Sequence, residues 1–118
     1  MDVRVSRLGD TPLIEAHGDI DHNNCRSMEI ALNRALDEGN LVVLLDLRGV
    51  EYIDSGGLSV ILSGVRRLRD RGWLGVVGPN PNVWRLLEII GLLVDPNFRI
   101  FNDLEEAEAG VAEPVGTA

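Results

Sequence analysis

The sequence predicts an α/β domain in which an N-terminal β-hairpin leads into successive β-α crossovers. Three observations predict it. Leu41-Val42-Val43-Leu44-Leu45-Asp46-Leu47 is an apolar run interrupted by one acid, the pattern of a strand buried on both faces in a parallel sheet. Leu58, Ile61, Leu62, Val65 and Leu68 recur at spacings of three and four, which gives one apolar helical face. Asp2 to Leu8 alternates polar and apolar residues, as a half-exposed strand does.

The hairpin closes through Gly9-Asp10-Thr11-Pro12, and Leu13 to His17 returns as its second strand. Gly18-Asp19-Ile20-Asp21-His22 leads into a first helix with Asn23 or Asn24 as cap. Cys25, Met28, Leu32, Ala35 and Leu36 form its inner face. Gly39 ends it in the left-handed conformation that a helix terminus favours. The apolar strand 41–47 follows, then a second helix of about four turns reaching Arg71. Arg66, Arg67, Arg69 and Arg71 crowd its end, where cations stabilise the negative pole of the helix dipole. Arg66 and Arg67 are also candidate docking residues.

Gly72 precedes a strand, Trp73-Leu74-Gly75-Val76-Val77. Asn80 then caps a third helix with Pro81 in its first turn, where the missing N–H costs nothing. Val83, Leu86, Leu87 and Ile90 point inward, and Trp84 lies on another face as a candidate contact residue. Gly91 ends that helix, and Asp95-Pro96-Asn97 breaks the chain before a last strand, Phe98 to Phe101. Asn102 or Asp103 caps a final acidic helix, with Glu106 spaced for a capping box. The order is β-β-α-β-α-β-α-β-α, a mixed sheet of about five strands. Residues 1–109 form the domain. Residues 110–118 carry no periodic apolar face and include Pro114 and Gly116, so a flexible C-terminal tail is expected.

At 118 residues the chain has the length of one domain with a single core. A hydrophobic content of 45% beside 25% charged residues is that of a globular protein. Cys25 is the one cysteine, so no internal disulfide forms and a reducing compartment fits. Met1-Asp2-Val3-Arg4 lacks a signal-peptide pattern, and no apolar run approaches a membrane span of about 20 residues. A cytoplasmic location without membrane contact is expected. The net charge of −8 and five aromatic residues argue against nucleic acid as a partner. No metal-ligand spacing links His17 or His22 to Cys25. Neither Gly-x-Gly-x-x-Gly, nor a phosphate-binding lysine loop, nor the hydrolase elbow Gly-x-Ser-x-Gly occurs. The expectation is a protein that is not an enzyme and holds neither cofactor nor metal.

Between the central strand and the second helix stands Gly49-Val50-Glu51-Tyr52-Ile53-Asp54-Ser55-Gly56-Gly57-Leu58. Asp54 or Ser55 can accept a hydrogen bond from a free helix N–H, and Gly56 and Gly57 leave the backbone uncovered. Two readings stand side by side. These residues are ordinary caps, or Ser55 is a phosphate acceptor, since the positive end of a helix stabilises a dianion.

Asp46-Leu47-Arg48-Gly49-Val50-Glu51-Tyr52-Ile53-Asp54-Ser55-Gly56-Gly57-Leu58 resembles the signature of STAS domains, specifically the bacterial anti-sigma factor antagonists. In that family the pattern runs Asp-Leu, Ser or Arg, any residue, Val, any residue, an aromatic, an apolar residue, then Asp-Ser, Ser or Thr, and Gly-Leu. Gly18-Asp19-Ile20-Asp21 resembles the family's Gly-Glu-Leu-Asp. Gly78-Pro79-Asn80-Pro81-Asn82-Val83 with Leu86-Leu87 and Gly91-Leu92 resembles its third helix. The likeness spans residues 3 to about 108. One residue departs: Gly56 stands at the family's second Ser or Thr, so a looser turn and one lost hydrogen bond are expected.

The resemblance implies strands side by side in chain order, with helices mainly on one face of the sheet. It implies that Ser55 is the phosphoacceptor. The implied partner surface comprises Asp21, His22, Asn23, Asp54, Gly56, Gly57, Leu58, Ser59 and Ser63. Its implied partners are an anti-sigma factor serine kinase, which supplies the ATP, and a serine phosphatase; a monomer when free is the default expectation. The competing use of the same scaffold is to bind a nucleotide or another regulatory protein without being modified.

Overall fold

The computed structural model describes residues 1–113. β1 (Asp2–Leu8) and β2 (Thr11–His17) pair antiparallel, with Leu8 opposite Thr11. The turn is therefore the two residues Gly9 and Asp10, and Thr11 and Pro12 belong to the strand. Gly9 takes φ +64, which glycine adopts without a Cβ penalty. β3 (Val42–Gly49), β4 (Trp73–Val77) and β5 (Phe98–Phe101) then add in parallel, in the spatial order β1-β2-β3-β4-β5.

Right-handed crossovers between neighbouring parallel strands place every connecting helix on one face. α1 (Arg26–Asp37), α2 (Ser55–Arg67) and α3 (Pro81–Ile89) accordingly share one core. Met28 and Leu32 of α1, Ile61 and Val65 of α2, and Val83 and Leu87 of α3 pack on Ile14, Val43, Leu45, Leu47, Leu74 and Val76. Because strand side chains alternate between faces, Leu13, Leu44, Trp73 and Val77 point the other way. There α4 (Leu104–Val111) covers them with Ala107, Leu104 and Val111. The expected arrangement, helices mainly on one face of a five-stranded mixed sheet, is the one observed.

Three further local expectations are corrected. α2 ends at Arg67 and not at Arg71: the Leu68 N–H closes on the Gly64 and Val65 carbonyls, and Asp70 turns left-handed at φ +61. The turn carries the chain to Gly72, which must pass flush against the Leu41 carbonyl to start β4. α1 starts after Cys25 with no side-chain cap, so neither Asn23 nor Asn24 caps it, and Asp21 instead holds the turn before it. Asp21 Oδ1 accepts from the Asn23 and Asn24 N–H groups at 2.8 and 3.0 Å, and Asn24 Oδ1 accepts the Asp21 N–H at 2.9 Å, a reciprocal arrangement like that of a capping box.

A short 3₁₀ turn, Leu92–Val94, follows Gly91 and buries Leu92. Finally, α4 continues through Gly110 and Val111, because Val111 packs on the second core and Phe101 lies against Gly110. The expected tail from residue 110 thus begins inside a helix, and its remainder, residues 114–118, lies outside the described residues. Asp103 caps α4 through the Glu106 N–H at 2.8 Å.

Candidate functional site

Two strand-to-helix connections meet at the carboxyl ends of β2 and β3, the edge of an open α/β sheet where ligands bind. One connection runs from Gly18 to Cys25, the other from Val50 to Asp54. They are zipped together by backbone bonds: the Gly18 N–H to the Gly49 carbonyl, Ile20 to Tyr52, and Asp54 back to Ile20, at 2.9 to 3.0 Å. Asn80, the cap of α3, also donates its amide to the Glu51 carbonyl at 3.0 Å. The second loop is thereby held on both sides.

Asp54 is the cap of α2. Its Oδ1 accepts the Gly56 and Gly57 N–H groups at 2.8 and 3.2 Å. Its Oδ2 accepts the His22 N–H at 3.1 Å and the His22 ring Nδ1 at 3.2 Å. An ionised carboxylate only accepts, so Nδ1 carries the hydrogen. Burial opposes the charged form of Asp54, but the His22 ring, the His22 N–H and the two glycine N–H groups outweigh it. The carboxyl is held below its ordinary value of 3.8.

Ser55 is the first residue of α2 and is exposed. Its carbonyl accepts the Ser59 hydroxyl at 2.8 Å, and no hydrogen bond among the described residues engages its own hydroxyl.

The expected surface divides. His22, Asn23, Ser59 and Ser63 are exposed, and Asp21, Asp54 and Gly56 are half-buried. Gly57 and Leu58, expected at the contact surface, are buried. Leu58 belongs to the core, and a Cβ at Gly57 would meet Ile53 and Ile20 at 2.6 and 2.7 Å. The turn is neither uncovered nor loose. A Cβ at Gly56 would lie 2.7 Å from the His22 Cα, so the departure from the family's Ser or Thr makes room for the His22 backbone. The N–H groups expected to be free for a phosphate are taken as well, since Asp54 already holds those of Gly56 and Gly57.

Tyr52, 55% exposed in the same loop, adds an aromatic surface that the sequence reading left out. Its signal was an aromatic between Glu51 and a buried Ile53. Asp46, 3% exposed, forms a two-pronged pair with Arg48 at 2.9 and 2.7 Å. The pair braces the end of β3 on the α4 side, and the Arg48 stem lies where a Cβ of Gly78 would sit. Arg48 is held above its ordinary value chiefly by the hydrogen bonds it donates to Asp46, against the cost of burial.

Other candidates lie apart from the site. Arg67 ties α2 to α1 through Asn33 and Asp37 at 3.1 and 2.7 Å, a structural use, while Arg66 is exposed. His17 is exposed at the end of β2, Cys25 is half-buried before α1, and Trp84 is half-buried on α3. Among the described residues no three His, Cys, Asp or Glu side chains converge as metal ligands. No helix of the described chain is long and apolar enough to cross a membrane.

Comparison with known proteins gives a consistent result. The family described as "Mlab, STAS domain" matches residues 3–94. BtrV of Bordetella bronchiseptica, named as a candidate anti-sigma factor antagonist, is 34% identical over 93 residues, 78% of each chain. Among solved structures, an anti-sigma factor antagonist from Mycobacterium paratuberculosis superposes with a TM-score of 0.83 at 22% identity, covering 95% of this chain and 94% of that one. The Bacillus cell fate determinant SpoIIAA in its phosphorylated form gives 0.74 at 19%, covering 93% and 99%.

Proposed function

The chain belongs to the STAS-domain family of anti-sigma factor antagonists, and from that premise we propose that it is a phosphorylation-switched binding module acting in the cytoplasm. In this reading the unmodified chain binds an anti-sigma factor that is itself a serine kinase, and so frees a sigma factor. The kinase transfers phosphate from its own ATP to Ser55, the complex dissociates, and a serine phosphatase resets the cycle. The chain performs no chemistry of its own.

The observation that carries this reading is the exposed Ser55 hydroxyl at the positive end of α2, flanked by a cap carboxylate with no capacity to spare. Phosphate brings a charge of about −1.5 to −2. It gains from the helix dipole, but it stands next to Asp54 and across the zipped loops from Asp21. At a desolvated interface such like-charge crowding costs several kcal/mol, so binding is lost while the domain stays folded.

The test is incubation with a candidate kinase and ATP, followed by mass spectrometry and a pull-down. Phosphate is expected on Ser55. Ser55→Ala is expected to bind the kinase, and Ser55→Asp or Ser55→Glu to bind poorly. A Ser55→Asp chain that binds as tightly as wild type removes the mechanism. Absence of phosphate on Ser55 leaves the unmodified scaffold, binding a nucleotide or another regulatory protein.

A further inference from the structure

His22 touches both sequence neighbours of Ser55. Its ring Nδ1 and backbone N–H bond to Asp54 Oδ2 at 3.2 and 3.1 Å. Its Cα and Cβ occupy the space beside Gly56, 2.7 and 2.8 Å from where a Cβ would be. The side chain is 73% exposed, so Nε2 stays open to solvent. The charged groups of the two loops are otherwise Asp19, Asp21, Glu51 and Asp54, all acidic, with Arg26 exposed at the start of α1, the Met1 amine beside Gly18 and His17 beside Gly49. The ion pairs of Arg4, Arg48, Arg67 and Arg99 do not involve these loops. A phosphate on Ser55, between Asp54 and Gly56, therefore stands beside a residue that touches both of its sequence neighbours and carries an imidazole.

Resting on the reading of Ser55 as phosphoacceptor, we infer that His22 is the charge-compensating residue of this site. Anchored on the cap of α2 through Nδ1, it takes a proton from solvent on Nε2 and offsets the Ser55 phosphate. Gly56 is the residue that admits it. His22 is a positioning residue for the cap and an electrostatic partner of the phosphate, and the two roles are separable. A cationic imidazole and a phosphate dianion attract, so each favours the charged form of the other.

The test uses the full chain carrying phosphoserine at position 55, installed during translation without a kinase, and ³¹P NMR from pH 4.5 to 8.5. An opposite charge nearby lowers the second pKa of the phosphate by about half a unit to one unit. Wild type is expected to lie that far below both His22→Ala and His22→Asn. The asparagine amide replaces Nδ1–H as donor to Asp54 and preserves the Gly56 and Gly57 amide resonances, but it carries no charge. His22→Lys, which restores a cation, is expected to bring the value back down.

Equal phosphate titrations in wild type and His22→Asn overturn the inference, as does a lysine variant that titrates like the alanine one. Because no kinase is needed, such a result removes the role of His22 alone. A kinase that leaves Ser55 unmodified removes the proposed cycle alone.

Discussion

Asp54 serves two structures with two oxygens, starting α2 and holding the His22 loop, and it lies next to the proposed phosphoacceptor. All of those bonds favour the ionised carboxylate, and together they keep its pKa below 3.8 against the opposing effect of burial. A depressed carboxyl contributes stability that is present above its unfolded value and disappears as pH falls through its lower folded value. Denaturant unfolding of wild type and Asp54→Asn between pH 6 and pH 2 checks the sign. Wild type is expected to be the more stable at pH 6, with the gap closing below about pH 4. A gap independent of pH would show that the charge of Asp54 is irrelevant and that its bonds act as neutral ones. Ser55 was legible because its neighbours in sequence define it, whereas the His22–Asp54 contact joins residues 32 positions apart and left no local trace.

At the scale of elements, what sequence captures is periodicity and caps, and what it misses is where tertiary contact overrides them. The five strands and four helices follow from apolar runs, three-and-four spacings and cap residues such as Asp103 and Asn80. The early end of α2 does not, because it is dictated by the Gly72 passage beside Leu41. A Cβ on Gly72 would lie 1.7 Å from the Leu41 carbonyl oxygen, which itself accepts the Trp73 N–H that opens β4. Backbone cannot yield there as a flexible side chain would. Gly72→Ala is expected to cost about 2 to 3 kcal/mol, read as a lower urea midpoint, with selective loss of amide protection at Trp73. A substitution cost under about 0.5 kcal/mol, the range of ordinary surface changes, would contradict this account of the helix-to-strand joint. The same logic explains α4, whose polar sequence hid the burial of Ala107 and Val111 over the second face of the sheet.

For the molecule as a whole, the proposed switch and the core are set on opposite sides of one helix. α2 turns Leu58, Ile61 and Val65 into the core, while Ser55, Ser59 and Ser63 face solvent. The two loops around Ser55 are held by backbone bonds to each other and by Asn80, not by the hydroxyl. A charge added at Ser55 therefore alters the surface potential and leaves the packing of three helices on the sheet untouched. Exposed substitutions of this kind change stability by about 0.5 kcal/mol or less, which for a domain of this size moves Tm by about 2 to 4 °C. The phosphoserine-55 chain is expected to melt within that range of wild type, to keep the amide-exchange protection of α2, and yet to lose partner affinity by about 100-fold or more, the scale of a several-kcal/mol like-charge penalty. Calorimetry, hydrogen exchange and a binding titration on one preparation decide the matter. If affinity and Tm fall together by a large margin, release is a consequence of unfolding. If affinity falls alone, the STAS scaffold transmits the signal by charge at its surface, with its fold intact.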